Sequence, residues 1–100
     1  MIDIEMAKQL VTEYINSNYN VPGDRLVVLD AHTIEKEYGW VFFYDSLKYL
    51  ETGDCSYLIA GNSPIIVEKQ DGSLHTLGTA LSPEESIKEY EAKREKRGSH

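Results

Sequence analysis

Apolar residues near the start of the chain recur with the spacing of one helical face. They are Ala7, Leu10, Val11, Tyr14 and Ile15, at positions i, i+3, i+4, i+7 and i+8. This period predicts an amphipathic helix from Asp3 to Tyr19, with the Asp3 side chain capping its first N–H groups. We expect the helix to end within residues 20–23, because proline cannot continue the hydrogen-bond ladder and glycine frees the turn.

Two apolar segments then predict an antiparallel hairpin. Residues 25–37 are predicted to form its first strand, which starts with the run Leu-Val-Val-Leu and becomes polar in its second half. Residues 40–44, Trp-Val-Phe-Phe-Tyr, are aromatic or β-branched throughout, so we expect them to form a central strand of the sheet. The turn between the two strands is placed at Tyr38-Gly39.

The middle of the chain, residues 45–62, follows no single period. Its larger apolar residues need burial, and they include Leu47, Leu50, Leu58 and Ile59. The sequence Glu-Thr-Gly-Asp at residues 51–54 is typical of a turn. We therefore expect an ordered excursion with a short helical turn.

The remainder of the chain predicts two more strands and a second helix. Residues 64–69 and 73–78 form the third and fourth strands, joined by a hairpin turn at residues 71–72, which are Asp-Gly. The segment from Ser82 to Glu85 then has serine at the N-cap, proline at N1 and glutamate at N3, which together form a capping box. The helix that follows is expected to contact the core through Ile87 and Tyr90 and to run to the last residues of the domain.

The order of elements predicts an α+β fold, since consecutive hairpins give an antiparallel sheet. We expect a single small domain over residues 1–97, in which a four-stranded antiparallel sheet carries the N- and C-terminal helices packed on one face. A chain of 100 residues is consistent with one such domain. Residues 98–100, Gly-Ser-His, are interpreted as a possible tag or linker remnant and are left out of functional reasoning.

Charge changes the picture by excluding classes of partner. The chain has 17 acidic and 10 basic residues, which gives a net charge of −7. Acidic and basic residues balance over residues 82–97, so the whole excess of negative charge lies before residue 82 and is densest from Asp24 to Asp54. This charge argues against nucleic acid and against anionic membranes, and it favours a basic protein or a cation as partner.

Candidate catalytic and metal chemistry is sparse. Cys55 is the only cysteine, so it forms no intrachain disulfide, which suits a reducing cytoplasm. Cys55, His32 and His75 are too far apart in sequence for the usual spacing of zinc ligands. No glycine-rich phosphate-binding motif, secretory signal or membrane-length apolar run is present. We therefore expect a cytoplasmic protein that is not an enzyme and uses no cofactor and no metal.

Several segments resemble one protein family when taken in their order and spacing. They are residues 38–44, 49–54, 60–67 and 78–80, together with the closing segment 87–91. The sequences Leu-Glu-Thr-Gly-Asp at 50–54 and Ala-Gly-Asn-Ser-Pro at 60–64 are the most specific of these. The chain resembles the YrhB-like family, also called immunity protein 35, over nearly its whole length.

This resemblance implies a bacterial cytoplasmic immunity protein that neutralises a cognate polymorphic toxin by binding it. It also leaves open a chaperone-like holdase, which would expose an apolar patch of more than a few hundred Å². A small enzyme or ligand-binding domain is a third alternative, and it would need a pocket with converging polar groups. The family provides no catalytic residues to carry over to this chain.

For the first of these functions, the sequence predicts a surface that combines acidic and aromatic residues. Its members are Glu35, Glu37, Asp45, Tyr49, Glu51, Asp54 and Tyr57. Tyrosine provides a large contact area at low entropic cost, and a surrounding acidic rim suits a toxin with a basic surface. The alternative is that the tyrosines seal the excursion onto the sheet. We expect the protein to act as a monomer or a weak homodimer.

Overall fold

The computed structural model describes residues 1–17, 19–54, 63–78 and 82–98 of the chain. Its helices are α1 (Ile4–Asn16), α2 (Leu47–Thr52) and α3 (Pro83–Gly98). Its strands are β1 (Leu26–Val28), β2 (Ile34–Glu35), β3 (Gly39–Phe42), β4 (Tyr44–Ser46), β5 (Ile65–Glu68) and β6 (Leu74–Thr76), with a 3-10 turn at Asp30–His32. No helix in the described part of the chain is both long enough and apolar enough to span a membrane.

A four-stranded antiparallel sheet forms the centre of the molecule, with strand order β2-β3-β5-β6. This arrangement confirms the predicted α+β class and the predicted sheet. The short helix expected in the excursion is α2, whose last turn ends at Gly53 in a left-handed conformation. Part of the excursion, including Cys55 and Tyr57, lies outside the described residues.

The predicted hairpin is present, but each of its strands is divided in two. β2 pairs with β3 in the main sheet, whereas β1 pairs with β4 in a separate two-stranded sheet. Five residues separate Val28 from Ile34 on one side, and only two separate Val41 from Tyr44 on the other. The 3-10 turn takes up the difference, so the prediction of two continuous strands over residues 25–37 and 40–44 is wrong.

The two terminal helices lie on opposite faces of the sheet, which corrects the expectation that they share one face. α1 packs on an apolar cluster, here called the α1 core: Ala7, Val11, Ile15, Leu26, Val28, Trp40, Phe42, Ile65 and Val67. α3 packs on a smaller cluster, the α3 core: Val41, Ile66, Leu77 and Ile87. Neighbouring residues of a strand point to opposite faces, so the uninterrupted apolar runs of β3 and β5 require cover on both sides.

The two predicted helix starts are confirmed at the level of single hydrogen bonds. The Met6 N–H donates to Asp3 Oδ1 at 2.9 Å, and the Glu85 N–H donates to Ser82 Oγ at 3.2 Å. Helix α1 ends earlier than predicted, because the Asn16 side chain bonds to the backbone of Leu26 in both directions. The exchange of hydrogen bonds joins the end of α1 to the start of β1.

Gly39 lies in a strand rather than in the predicted turn, and its lack of a side chain is required there. A Cβ atom at this position would lie 2.0 Å from the Val67 carbonyl oxygen. The turn itself is formed one step earlier, where the Lys36 N–H donates to the Gly39 carbonyl at 2.8 Å. Close approach of β3 to β5 therefore depends on glycine at this one position.

Candidate functional site

The predicted acidic and aromatic residues fall into two groups at opposite ends of the hairpin. Glu35 and Glu37 lie beside the β2–β3 turn. The second group surrounds α2 at the open end, and with the exposed Leu50 it is here called the α2 surface: Asp45, Tyr49, Leu50, Glu51 and Asp54. Tyr57 lies outside the described residues. About seven strand residues, or roughly 20 Å of extended chain, separate the two groups.

The two groups also point to different sides of the sheet. Glu35 stands opposite Trp40 in the β2–β3 register, so it shares the face covered by α1. Tyr44 packs against the α1 core, and the next residue, Asp45, therefore points to the other face. Because of this separation, the predicted residues do not form one continuous surface.

At the turn end, neighbouring lysines compensate the acidic charge. Lys69 Nζ lies 3.4 Å from Glu35 Oε2 and also 5.2 Å from the centre of the Trp40 ring. Lys36 Nζ lies 3.3 Å from Glu91 Oε2 on α3. Because Glu35 and Glu91 are paired with lysines, less negative charge remains at this end to attract a basic partner.

The α2 surface combines acidic and apolar side chains. Leu50 is 48% exposed, and Tyr49 beside it is partly buried. Glu51 is exposed and forms no ion pair with any described residue, and Asp54 is also exposed. An exposed apolar side chain between acidic groups is the kind of surface that contacts a protein with basic and apolar groups.

Asp24 holds α2 in place beneath this surface. Its Oδ2 accepts hydrogen bonds from Ser46 Oγ at 2.5 Å and from Tyr19 Oη at 2.7 Å. Its Oδ1 accepts from the backbone N–H of Lys48 at 2.9 Å, in the first turn of α2. Ser46 in turn caps the helix by accepting from the Tyr49 N–H at 3.2 Å. One carboxylate therefore joins the segment that follows α1, strand β4 and helix α2.

These bonds also determine the charge state of Asp24. Partial burial raises the pKa of its carboxyl, but hydrogen bonds from Ser46, Lys48 and Tyr19 outweigh burial and lower the pKa to about 2. Asp24 is therefore ionised at neutral pH. Sequence analysis missed it, because its partners lie 5, 22 and 24 residues away in the sequence.

A second polar cluster joins α3 to the sheet on the other face. Arg94 Nε lies 3.0 and 3.2 Å from the two carboxylate oxygens of Glu68, and Tyr90 Oη donates to the same carboxylate. The Arg94 guanidinium also lies 4.5 Å from the centre of the Tyr38 ring. The Tyr38 hydroxyl donates to Glu91 at 2.8 Å, so several side chains hold this half of α3. These residues, Tyr38, Glu68, Tyr90, Glu91 and Arg94, are here called the α3 cluster.

Electrostatics indicate that this cluster stabilises the fold and does not transfer protons. Burial raises the pKa of the Glu68 carboxyl, but hydrogen bonds from Arg94 and Tyr90 outweigh it, and the net pKa is lowered. Burial and the bond to Glu91 raise the pKa of Tyr38. Glu68 thus stays ionised and Tyr38 stays neutral at physiological pH, whereas a general acid or base needs a pKa near 7.

Residues suited to nucleophilic or metal chemistry are separated in the described structure. His32 lies on the 3-10 turn, whereas His75 lies on β6, where its Nε2 is 2.9 Å from Ser73 Oγ. Cys55 lies outside the described residues. Within the described ranges, no three His, Cys, Asp or Glu side chains come together as a possible metal site.

Comparison with known proteins assigns the chain to a family. The family model described as immunity protein 35 matches residues 5–93. An Escherichia coli relative named "Uncharacterized protein YrhB" is 38% identical over 78 residues, which cover 78% of this chain and 82% of the relative. No solved structure matches the chain. With a match over most of its length, this protein belongs to the immunity protein 35 family.

Proposed function

We propose that this protein binds a cognate protein toxin in the bacterial cytoplasm and neutralises it by covering the toxin's active site or substrate path. Membership of the immunity protein 35 family supports a toxin as the partner. The observation that carries the choice of surface is the exposed Glu51 beside the exposed Leu50 on α2. The role requires binding alone, without a covalent step, a cofactor or a metal. The protein acts as a monomer or a weak homodimer.

Two physical effects make the α2 surface suitable for this role. The exposed acids attract a basic toxin over a distance of about 8–10 Å at physiological salt, which raises the association rate. The hydrogen bonds of Asp24 fix α2 before the partner arrives, so little conformational entropy is lost on binding. Leu50 and Tyr49 then supply apolar contact area at the centre of the acidic rim.

The test is co-expression with the toxin encoded beside this gene in its host. Wild-type protein is expected to restore growth and to form a complex of defined stoichiometry with the purified toxin. The double variant Glu51→Lys/Asp54→Lys is expected to bind at least tenfold more slowly at low salt, with the difference shrinking at high salt. Failure of wild-type protein to bind or protect would contradict the proposed function.

Glu37→Lys is the matched control, because Glu37 is an exposed acid at the other end of the hairpin. If binding uses the α2 surface, this variant associates at nearly the wild-type rate. Glu37→Lys changes the charge by two units and the double variant by four, so equal slowing per unit of charge would mean that the partner is attracted by overall charge or by the turn end. That result would contradict the choice of surface and leave toxin binding intact.

A holdase is the second candidate, and exposed apolar residues on α1 favour it. Met6, Leu10 and Tyr14 are exposed and form an apolar stripe along the helix, and Ile4 and Met1 are exposed at and before its start. Such a stripe can bind the apolar segments of unfolded proteins. Near-stoichiometric suppression of aggregation of unrelated clients, reduced by Met6→Ser, would support the holdase. The absence of any suppression at tenfold excess would contradict it.

A further inference from the structure

We propose that an apolar groove at the start of α3 holds an apolar side chain that projects from a basic surface of the protein partner. The proposal rests on the proposed function and names the second half of the same interface. The groove lies between the 3-10 turn and β2 on one side and the first turn of α3 on the other, and it measures about 630 Å³. Its walls are formed by Leu29, Ile34, Phe43 and Ile87, with His32 and Glu84 at its edges.

The groove exists because the hairpin extends further than the helix that covers it. α3 begins at Pro83 and packs on Val41 and Ile66 through Ile87. Phe43 lies two residues beyond Val41 on the same face, and the Leu29 N–H donates to its carbonyl at 2.8 Å. This next pair of apolar residues is therefore only partly covered.

Ile34 gives the strongest indication that the groove binds a partner. It stands opposite Val41 in the register, so it points to the α3 face, yet it is 38% exposed on a two-residue strand at the edge of the sheet. More than a third of this residue therefore stays in contact with water after folding. Removing that area from water on binding is favourable.

The charges around the groove indicate what kind of side chain enters it. Glu84 is exposed in the first turn of α3 and lines the groove itself. Asp45 lies two residues beyond Phe43 on the same face, about 7 Å along the strand. Asp45 is also a member of the α2 surface, so the groove and that surface are neighbours along the hairpin. An apolar side chain flanked by lysine or arginine fits this arrangement of apolar walls and acidic edges.

The groove and the α2 surface together have the make-up of a specific interface. A standard protein–protein interface buries about 800 Å² on each partner, with a few apolar anchors at its centre and polar groups around them. The groove supplies a pocket for one such anchor, and the α2 surface supplies charge and a second apolar contact at Leu50. A toxin that covers both would meet this chain along the open end of the hairpin.

The first experiment measures toxin affinity for Ile34→Ser, with Ile4→Ser as the matched control. Ile4 is an isoleucine of similar exposure, 44%, but it lies on α1 at the opposite face of the sheet. We expect Ile34→Ser to weaken the complex at least tenfold and Ile4→Ser to change it less than twofold. Equal affinity of the two variants would overturn the groove while leaving the proposed function intact.

The second experiment tests the same groove with charge variants. Glu84 and Glu5 are both exposed acids in the first turn of a helix, so replacing either by lysine disturbs its helix dipole alike. Glu84→Lys is expected to slow association with the toxin severalfold at low salt, whereas Glu5→Lys leaves the rate near that of wild type. A reversed order of the two variants would contradict the acidic edge of the groove.

A peptide titration examines the groove without the toxin. The probe is the blocked pentapeptide Lys-Lys-Phe-Lys-Lys, followed by NMR on the full-length protein, with Lys-Lys-Ala-Lys-Lys as control. We expect the phenylalanine peptide alone to shift the amide resonances of Ile34 and Phe43. If neither resonance moves, or both peptides act alike, the groove proposal is overturned. If the peptide binds there but the wild-type protein fails to bind the toxin, the proposed function is the part that fails.

Discussion

The two faces of the sheet are held by different interactions, although each carries one terminal helix. On the α1 face, Ala7 and Val11 are completely buried against aromatic and branched side chains of the sheet. On the α3 face, Ile87 is the one large apolar residue of α3 that is buried among the described side chains. The remaining contact of α3 with the sheet is made largely by Glu68, Tyr90 and Arg94.

This difference indicates which helix separates from the sheet first. Apolar burial stabilises without directional requirements, and each fully buried aliphatic side chain contributes about 1.5–3 kcal/mol. Hydrogen-bonded charges depend on geometry and are weakened by competing water and salt. We therefore expect α1 to unfold with the whole domain and α3 to open locally at lower free energy.

The largest effect is expected from a truncation on the α1 face. Phe42 is 1% exposed and belongs to the α1 core, so Phe42→Ala leaves a cavity under the helix. The free energy of unfolding should fall by about 3–5 kcal/mol, measured by urea denaturation. A loss below about 1 kcal/mol would show that this face tolerates cavities and would remove the contrast between the two faces.

A smaller effect is expected from the α3 cluster. Arg94→Met keeps the aliphatic stem but removes the charged hydrogen bonds to Glu68, which should cost about 1.5–3 kcal/mol. Hydrogen exchange should be faster in α3 than in α1 in the wild-type protein, and Arg94→Met should quicken it in both helices while α3 stays the faster. Lys93→Met is the control, since its exposed i,i+4 pair with Glu89 is worth about 0.3–0.5 kcal/mol. Equal exchange rates in the two helices of the wild-type protein would contradict local opening.

Lowering the pH should protonate Asp24 and weaken the hydrogen bonds by which it holds α2. Asp24 has a pKa of about 2 in the folded protein, below the value of about 3.9 for an unperturbed aspartate. Its contribution to stability is therefore complete above pH about 4 and is lost as the pH falls toward 2. Asp24→Asn should lower the melting temperature at pH 7. The melting temperature of this variant should also depend less on pH between about pH 4 and pH 2. An unchanged slope would contradict the role of Asp24.

The smallest effect on stability is expected at the α2 surface itself. Glu51→Lys changes an exposed side chain without an ion pair to a described residue, so the free energy of unfolding should change by less than about 0.5 kcal/mol. Urea denaturation measures this directly. A larger loss would mean that Glu51 stabilises the fold, and its effects on binding would then need correction for the unfolded fraction.

Local signals in the sequence predicted much of the fold. Asp3 and Ser82 act as the predicted caps because a cap depends only on residues within one helical turn. The placement of the helices was not predicted correctly, because the apolar run at residues 40–44 needs cover on both faces but does not show which helix provides it. The 3-10 turn at Asp30–His32 has no Gly or Pro to mark it, and pairing across the hairpin reveals it only in three dimensions.

The candidate site was predictable in composition but not in layout. The sequence identified acidic and aromatic residues, and the fold divided them because the hairpin carries Glu35 and Asp45 to different ends and faces. The groove beside α3 was not predicted, since Ile34 and Ile87 are 53 positions apart and only the packing of α3 brings them together. Contacts between residues far apart in the sequence have no local sequence pattern, so they could not be predicted from the sequence alone.

The most direct test of the account is the association rate with the toxin encoded beside the gene, measured by stopped flow at low and high salt. The account predicts that Glu51→Lys/Asp54→Lys slows association at least tenfold at low salt, with little effect at high salt. Glu37→Lys should remain close to wild type at both. Equal slowing per unit of charge by the two changes, or no slowing by either, would contradict the claim that this protein meets its toxin through the α2 surface.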